Sequence, residues 1–297
     1  VWEQEDPGLK GKRGKDESHN LLKSLASGAG EWVQVVRGVS KLVTQLALEG
    51  VGLTTNAVSI PFKATEDTPL TGVVTSERQL ASAKIDMERL KVLRRATRCT
   101  LNHIALTCID GALRRYLLDH GIDLERPVSI QMPVNLRDKN ENISGNKVGM
   151  VVVDLAPKTD DPYVRLKEIG FTLRAVRNQI DGVPAIAVAQ YTAVMVVLLE
   201  LMETLRLDRV LPAVSDTLVS NVPGPPKTMY MYGAELEQSL PVSTLPPGCQ
   251  MNITLYSYGG TLFFGLVATD KVEGLGNLAR YIEEAFDELE ASVSGAA

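Results

Sequence analysis

The pattern of apolar and polar positions is most regular between residues 100 and 120, TLNHIALTCIDGALRRYLLDH. Apolar side chains recur there at spacings of three and four, which predicts an α-helix with one wide buried stripe. Thr100 is suited to cap the first turn, and Gly121 is suited to end the helix. Because Asn102 and His103 fall in the first turn, we expect a buried helix with polar groups only at its mouth, flooring a cleft. The stripe consists of Leu101, Ile104, Ala105, Cys108, Ile109, Ala112, Leu113, Tyr116 and Leu117.

Other periodic segments predict strands interleaved with helices, which is the pattern of a layered α/β domain with a mixed sheet. Asp86 and Asp161 are suited to begin helices, and Gly259-Gly260 fits a two-residue hairpin turn. Pro133 lies inside a predicted strand, which indicates an edge or a bulge. The predicted strands are residues 78–85, 128–136, 148–155, 217–221, 229–237, 250–258 and 261–268, and the predicted helices are residues 87–96, 161–180 and 275–289.

Two further apolar segments raise the question of a membrane. Residues 32–46 have the spacing of an amphipathic helix, and residues 182–199 contain no charged side chain. We expect the first to pack against a missing domain and the second to be buried or to lie at an interface, because Gln190, Tyr191 and Thr192 interrupt it. Contact with a membrane stays the alternative for both segments.

Composition narrows the class of protein. Hydrophobic residues make up 44% of the chain and charged residues 23%, as in ordinary globular proteins. The net charge of −5 argues against a nucleic-acid-binding protein. Cys99, Cys108 and Cys249 lack the spacing of metal ligands, and so few cysteines favour a reducing cytoplasm. There is no P-loop and no Rossmann glycine motif, so we expect neither a metal nor a dinucleotide.

Five segments in order carry a family resemblance: LNHIALTCIDGALRRYL, IQMPVNLR, GNKVGMVVVDL, LVSNVPGP and MNITLYSYGGTLFFGLVATD. Together they resemble the C-terminal half of bacterial wax ester synthase/diacylglycerol acyltransferases, which belong to the CoA-dependent acyltransferase superfamily. The resemblance implies an α/β, chloramphenicol-acetyltransferase-like layered domain with a mixed β-sheet packed with helices. It also implies that residues 1–75 are a linker and amphipathic helices joining a missing N-terminal half. Residues 76–297 would then be the C-terminal acyltransferase domain.

The chain departs from this family in two places. Relatives carry Asn-Asp where this chain has Asn102-His103, and the family's catalytic His-His-x-x-x-Asp-Gly motif is absent. The other histidines are His19 and His120, and neither begins such a motif. The resemblance therefore implies that the catalytic base lies on the missing N-terminal half and that no catalytic residue lies in this chain. It implies no cofactor, since acyl-CoA is a substrate.

Candidate residues for the substrate or CoA channel also follow from the resemblance. Each has a plainer alternative: Asn102 could tie down a neighbouring loop, and His103 could be a locally satisfied histidine. The turn that begins at Ser220 could be purely structural, and Arg137 could pin its own loop instead of binding a CoA phosphate. The candidates are Asn102, His103, Arg137, Asn146, Ser220, Asn221, Pro223 and Gly224.

The function that the resemblance implies is transfer of a long acyl chain from CoA to an alcohol, forming wax esters, triacylglycerol or both. The partners would be acyl-CoA, a long-chain alcohol or diacylglycerol, and the missing N-terminal half, with no nucleic acid. We expect a cytoplasmic protein that can sit peripherally at the inner membrane or at lipid inclusions. Two alternatives stay open, a non-catalytic lipid- or partner-binding module of the same fold and an acyltransferase that uses a carrier protein.

Overall fold

A six-stranded mixed sheet forms the centre of the part of the chain that the structure describes. The computed structural model describes residues 68–135, 148–182, 213–225 and 227–295, together with helical positions between 188 and 204. The strands are β1 (Gln79–Asp86), β2 (Ser129–Asn135), β3 (Val148–Asp154), β4 (Thr217–Val222), β5 (Tyr230–Met231), β6 (Ala234–Glu235), β7 (Met251–Tyr258) and β8 (Thr261–Ala268). The helices are α1 (Met87–Thr97), α2 (Leu101–Asp119), α3 (Pro162–Asp181) and α4 (Leu275–Gly295).

The strand order in the sheet is β1-β8-β7-β4-β2-β3. Strands β7, β4 and β2 run parallel, while β1, β8 and β3 pair antiparallel to their neighbours. Helices α1 to α4 share one hydrophobic core with alternate residues of the six strands, so they cover one face of the sheet. The predicted fold class, a mixed sheet packed with helices, is confirmed.

Local signals in the sequence set most element boundaries. The side chain of Asp86 accepts hydrogen bonds from the second and third N–H groups of α1, and Asp161 does the same for α3. Thr100 and the third residue of α2 form a capping box. Gly259 and Gly260 have φ angles of 56° and 79°, which glycine adopts without steric cost, and they turn β7 into β8. These four predictions are confirmed.

Helix α2 is buried more completely than its apolar stripe predicts. Residues 103–110 are all buried, because α3, α4 and the shared core surround this part of the helix. Asp110 is fully buried inside it, with Nε of Arg114 at 3.2 Å and Nε of Arg165 at 3.1 Å from its carboxylate. The prediction of polar groups only at the mouth of the helix was therefore wrong. A buried carboxylate is tolerated here because two guanidinium groups pair with it, one from the next turn of α2 and one from α3.

Two other predictions need correction. The strand predicted at 229–237 is only the two-residue ladder of β5 and β6, because the chain reverses at Tyr232 and Gly233, both with positive φ. Strand β2 lies between β3 and β4 and is no edge strand. Its pairing with β4 nevertheless covers only Ile130 and Gln131, so Pro133 lies where that side of β2 has no partner among the described residues.

Several predictions concern other parts of the chain. The amphipathic segment at 32–46 and the proposed linker lie outside the described residues, so they stay predictions. The described positions between 188 and 204 are helical, as expected for the apolar segment there. Among the residues that the structure describes, no helix is long and apolar enough to cross a membrane.

The short seam between β2 and β4 is reinforced by a buried carboxylate. Asp216, 1% exposed, receives two hydrogen bonds of 2.7 Å from the guanidinium of Arg126. The same carboxylate accepts hydrogen bonds from the backbone N–H and the hydroxyl of Ser129, at 2.8 and 3.0 Å. This network fixes the start of β4 beside the start of β2. It compensates for a parallel pairing of only two residue pairs, Ile130–Thr217 and Gln131–Leu218.

We expect Asp216→Ala to lower the free energy of unfolding by about 3–5 kcal/mol, because it removes the acceptor of four hydrogen bonds and leaves the Arg126 charge without its carboxylate. Urea denaturation followed by circular dichroism measures this. Asp181→Ala is the matched control, since Asp181 pairs with Arg177 on the surface and should contribute less than about 1 kcal/mol. Equal effects of the two variants would contradict the assigned role.

Candidate functional site

The carboxyl end of strand β4 and the start of helix α2 meet at one edge of the sheet. Nδ2 of Asn221, in β4, donates a hydrogen bond of 2.5 Å to Oδ1 of Asn102, in the first turn of α2. Both side chains are exposed. In open α/β sheets, ligands bind outside the carboxyl ends of parallel strands, and helix N-termini add positive potential there. The fold thus joins two of the predicted channel residues, 119 positions apart in the chain.

The turn after β4 is held too tightly for any residue but glycine. The backbone N–H of Gly224 donates to Oγ of Ser257 at 3.3 Å. A Cβ at Gly224 would lie 2.0 Å from the carbonyl oxygen of Ser257 and 2.8 Å from the ring of Tyr256. The turn containing Pro223 and Gly224 therefore packs against the end of β7. This is a structural role, and lining of a channel by these two residues stays a prediction.

His103 has a local role at the start of α2. Its backbone N–H donates to Oγ1 of Thr100 at 3.2 Å, and its Nδ1 accepts the N–H of Thr100 at 3.5 Å. Burial, with the positive charge of Arg174 nearby, lowers the pKa of His103 below its ordinary value. The neutral ring then carries its proton on Nε2, and its one lone pair faces Thr100. His103 thus has the local capping contacts that the sequence offered as its plainer role, and its place in a channel stays a prediction.

A cavity of about 500 Å³ lies on the face of the sheet opposite helices α1 to α4. Strand alternation places Gln131, Val152, Leu218 and Asn252 in its wall, while their neighbours Ile130, Val151, Val219 and Ile253 belong to the helix-covered core. The helical positions around 195 close it from the other side. Its lining is mainly apolar and consists of Gln131, Pro133, Met150, Val152, Thr192, Met195, Val196, Leu199, Glu200, Val214, Leu218, Ser220, Ser243, Thr244, Pro246, Pro247 and Asn252.

The two amide side chains of the cavity wall, Gln131 and Asn252, have hydrogen-bond partners in the protein. Nδ2 of Asn252 donates to the carbonyl oxygen of Thr244 at 2.7 Å, and Nε2 of Gln131 donates to Oγ of Ser215 at 3.2 Å. Ser220 also lines the cavity, one residue before Asn221. The cavity therefore reaches the strand end where Asn102 and Asn221 meet.

Sequence reasoning did not find this cavity. Two signals were available in hindsight, the apolar residues on both faces of β3 and the uncharged segment at 182–199. Neither signal shows which elements pack together, so neither predicts a void. Arg137 and Asn146, the other predicted channel residues, lie outside the described residues, and their roles stay predictions.

The connection from β4 to β7 exposes an apolar surface, which we call the apolar arm (residues 229–242). Tyr258 anchors it, because its hydroxyl donates to the carbonyl oxygen of Leu236 and accepts the N–H of Met229, both at 2.8 Å. The turn residue Tyr232 is 88% exposed. The exposed apolar residues of the arm are Met229, Tyr230, Met231, Tyr232, Leu236, Leu240 and Val242.

Two cysteines of the described residues, Cys108 and Cys249, are fully buried. Burial raises the pKa of the Cys108 and Cys249 thiols to about 12, so neither is a nucleophile at neutral pH. The described part of the chain contains no group of three or more His, Cys, Asp or Glu residues that could hold a metal ion.

Two family models match the sequence. One is the catalytic domain of wax ester synthase/diacylglycerol acyltransferase, over residues 2–105, and the other is the C-terminal domain of the same family, over residues 144–290. The chain belongs to the wax ester synthase/diacylglycerol acyltransferase family. The identification of the family from five sequence segments is thereby confirmed.

Several relatives with similar sequences come from mycobacteria. A protein of Mycobacterium tuberculosis described as a diacylglycerol O-acyltransferase is 33% identical over 228 residues, which cover 75% of this chain and 46% of the relative. Another from the same species is 30% identical over 283 residues, covering 95% of this chain and 61% of the relative. The chain thus spans about half the length of the curated relatives it matches.

A solved structure shows the same fold. The wax ester synthase/diacylglycerol acyltransferase from Marinobacter aquaeolei VT8 superposes with a TM-score of 0.61 at 21% identity. The match covers 86% of this chain and 57% of that one. A nonribosomal peptide synthetase, FmoA3, gives a TM-score of 0.50 at 15% identity over 76% of this chain and 23% of its own. These likenesses support the fold that the resemblance implied.

The Asn102–Asn221 hydrogen bond can be measured with a double-mutant cycle on the free energy of unfolding. We expect Asn102→Ala and Asn221→Ala to be non-additive by about 0.5–1.5 kcal/mol, because either change alone already removes the bond. The double variant supplies the coupling energy. If the two effects simply add, the side chains do not interact in solution.

The pKa shift of His103 predicts how stability depends on pH. A histidine whose pKa is lower in the folded state stabilises the fold fully above its unfolded pKa of about 6.5 and loses this contribution as the pH falls below it. His103→Gln should therefore lose less stability than the wild type between neutral and acidic pH, since glutamine can serve the same capping box without titrating. Urea titrations across this range measure it, with His120→Gln as the control. A wild-type pH slope in His103→Gln would refute the shift.

Proposed function

We propose that this chain is the substrate-holding half of a long-chain acyl-CoA-dependent O-acyltransferase that forms wax esters, triacylglycerol or both. The observation that carries the proposal is the apolar cavity of about 500 Å³ beside Ser220, which has the size and lining of a small-molecule site. A hydrocarbon chain matches its mainly apolar wall, and the amide groups of Gln131 and Asn252 there already have hydrogen-bond partners in the protein. The names of the relatives supply the reaction class.

The proposed reaction joins an acyl group to an alcohol oxygen with release of the CoA thiol. A base must accept the alcohol proton during attack, and donors must stabilise the negative charge on the tetrahedral intermediate. His103 is not assigned as that base, because its Nδ1 accepts the N–H of Thr100 at the helix cap. We assign the base to the family's double-histidine motif on polypeptide that this chain does not include. The Nδ2 group of Asn102 has no hydrogen-bond acceptor among the described residues, so it is a candidate donor to the reacting atoms near the Asn102–Asn221 contact.

The apolar arm supports the proposal that another stretch of polypeptide carries the catalytic base. Seven large apolar side chains are exposed on one connection, and large exposed apolar patches mark interaction sites. We assign this surface to contact with the half that carries the double histidine. Because the acceptor alcohol dissolves in membranes, the proposal places the assembled enzyme peripherally at a membrane or lipid inclusion.

The proposal predicts that the chain joined to its upstream half forms ester from palmitoyl-CoA and hexadecanol or diacylglycerol. It further predicts that Met195→Trp, which fills the cavity, lowers the rate with hexadecanol at least about tenfold relative to octanol, because the longer chain no longer fits. Val197→Trp is the matched control, since Val197 is 50% exposed and lies outside the cavity wall. Product formation is measured by chromatography of the extracted lipids.

Three results would count against the proposal. An intact, folded preparation that forms no ester would favour the non-catalytic binding module. Turnover of acyl groups from a carrier protein, with none from CoA, would identify the carrier-dependent alternative. Equal chain-length preferences in Met195→Trp and Val197→Trp would remove the cavity from substrate binding.

A further inference from the structure

Helix α1 carries a stripe of cations on one flank. Lys91, Arg94, Arg95 and Arg98 are spaced at intervals of three and four, so they share one side of the helix, and all are exposed. The opposite flank holds Arg89, which binds Asp287 and Glu290 of α4. We call the first group the basic stripe. Like charges at this spacing repel each other, so the stripe does not stabilise the helix by mutual contact.

The basic stripe is unusual in this acidic protein because its arginines are unpaired. Arg94, Arg95 and Arg98 are the described arginines for which no carboxylate, carbonyl or aromatic partner exists within the described residues. The other described arginines have such partners, although the net charge of the chain is −5. They are Arg78, Arg89, Arg114, Arg115, Arg126, Arg165, Arg174, Arg177 and Arg280.

The last residue of the stripe occupies a strained position. Arg98 ends α1 in the left-handed conformation, with φ of 56°, where glycine is the least strained residue. The backbone therefore favours glycine at this position, yet an arginine is present. Arg98 precedes Asn102 by four residues, so their Cα atoms lie within about 14 Å of each other. The Arg98 end of the stripe is thus close to the Asn102–Asn221 contact.

We propose that the basic stripe binds the phosphate groups of the nucleotide end of acyl-CoA. This inference rests on the proposed function, in which acyl-CoA is the donor. Acyl-CoA is an extended molecule whose phosphates lie far from its thioester. Its phosphate site must therefore be separate from the Asn102–Asn221 contact, but within the length of one acyl-CoA molecule from it. Exposed guanidinium groups at adjacent turns suit phosphate oxygens, because each offers several donors in a fixed plane.

The same phosphate chemistry occurs in anionic lipid headgroups, so the experiment has two arms. The first measures binding of CoA and of dephospho-CoA to the 297-residue chain by calorimetry. The second measures sedimentation of the chain with phosphatidylcholine vesicles, with and without phosphatidylglycerol. The variants are Arg94→Ala/Arg95→Ala, Arg98→Gly and, as the matched control for charge, Arg177→Ala/Lys271→Ala.

We expect Arg94→Ala/Arg95→Ala to weaken CoA binding about tenfold and to weaken dephospho-CoA binding less, since fewer phosphates are engaged. Arg98→Gly should weaken CoA binding several-fold while leaving the melting temperature unchanged or higher, because the strained turn is relieved. A merely structural arginine would not separate binding from stability in this way. The control pair should bind CoA as the wild type does.

Each other outcome overturns the inference in its own way. Unchanged CoA affinity in both stripe variants would leave the stripe as a complement to the negative end of the helix. A loss confined to phosphatidylglycerol vesicles would make it a lipid-headgroup surface. Ester formation from acyl-CoA with unaltered KM in the stripe variants would defeat this inference while the proposed function stands. Ester formation that requires a carrier protein would instead defeat the proposed function.

Discussion

The structure depends on how strands β2 and β4 are held together. They join two parts of the sheet, β1-β8-β7-β4 and β2-β3, through only two residue pairs. The ion pair of Arg126 and Asp216, buried on the Asp216 side and bonded further to Ser129, fixes the starts of both strands. Because a buried carboxylate without its partners is very costly, the strands cannot slide or separate there.

The cavity follows from the same seam. Beyond Gln131 the pairing with β4 stops, and Pro133 on β2 and Ser220 on β4 both become part of the cavity wall. Alternation along each strand then separates two environments, a helix-covered core on one face and the cavity on the other. Asn221 follows Ser220 and reaches Asn102 on α2, so the strand end links the cavity to the start of the central helix.

Most arginines of the described residues have a carboxylate, carbonyl or aromatic partner. The buried carboxylate of Asp110 is paired with arginines from α2 and α3, and the surface residue Arg115 of α2 is paired with Glu284 of α4. Against that background, Arg94, Arg95 and Arg98 on α1 lack an ion-pair partner within the described residues, and the apolar arm exposes large apolar side chains. Both are next in the chain to elements that form the Asn102–Asn221 contact, since α1 precedes α2 and the arm follows β4.

The sequence by itself determined the family, the caps at Asp86, Thr100 and Asp161, the glycine hairpin after β7, and most strands, because these depend on contacts between near neighbours. It could not determine that α2 is buried on all sides, or that 229–237 folds back as a short ladder. Only the tertiary structure decided that Asn102 bonds to Asn221 and that Nδ1 of His103 accepts the N–H of Thr100. It also decided that a cavity forms beside Ser220. The reason is that partner choice across more than a hundred residues depends on which elements pack together, and local periodicity carries no record of it.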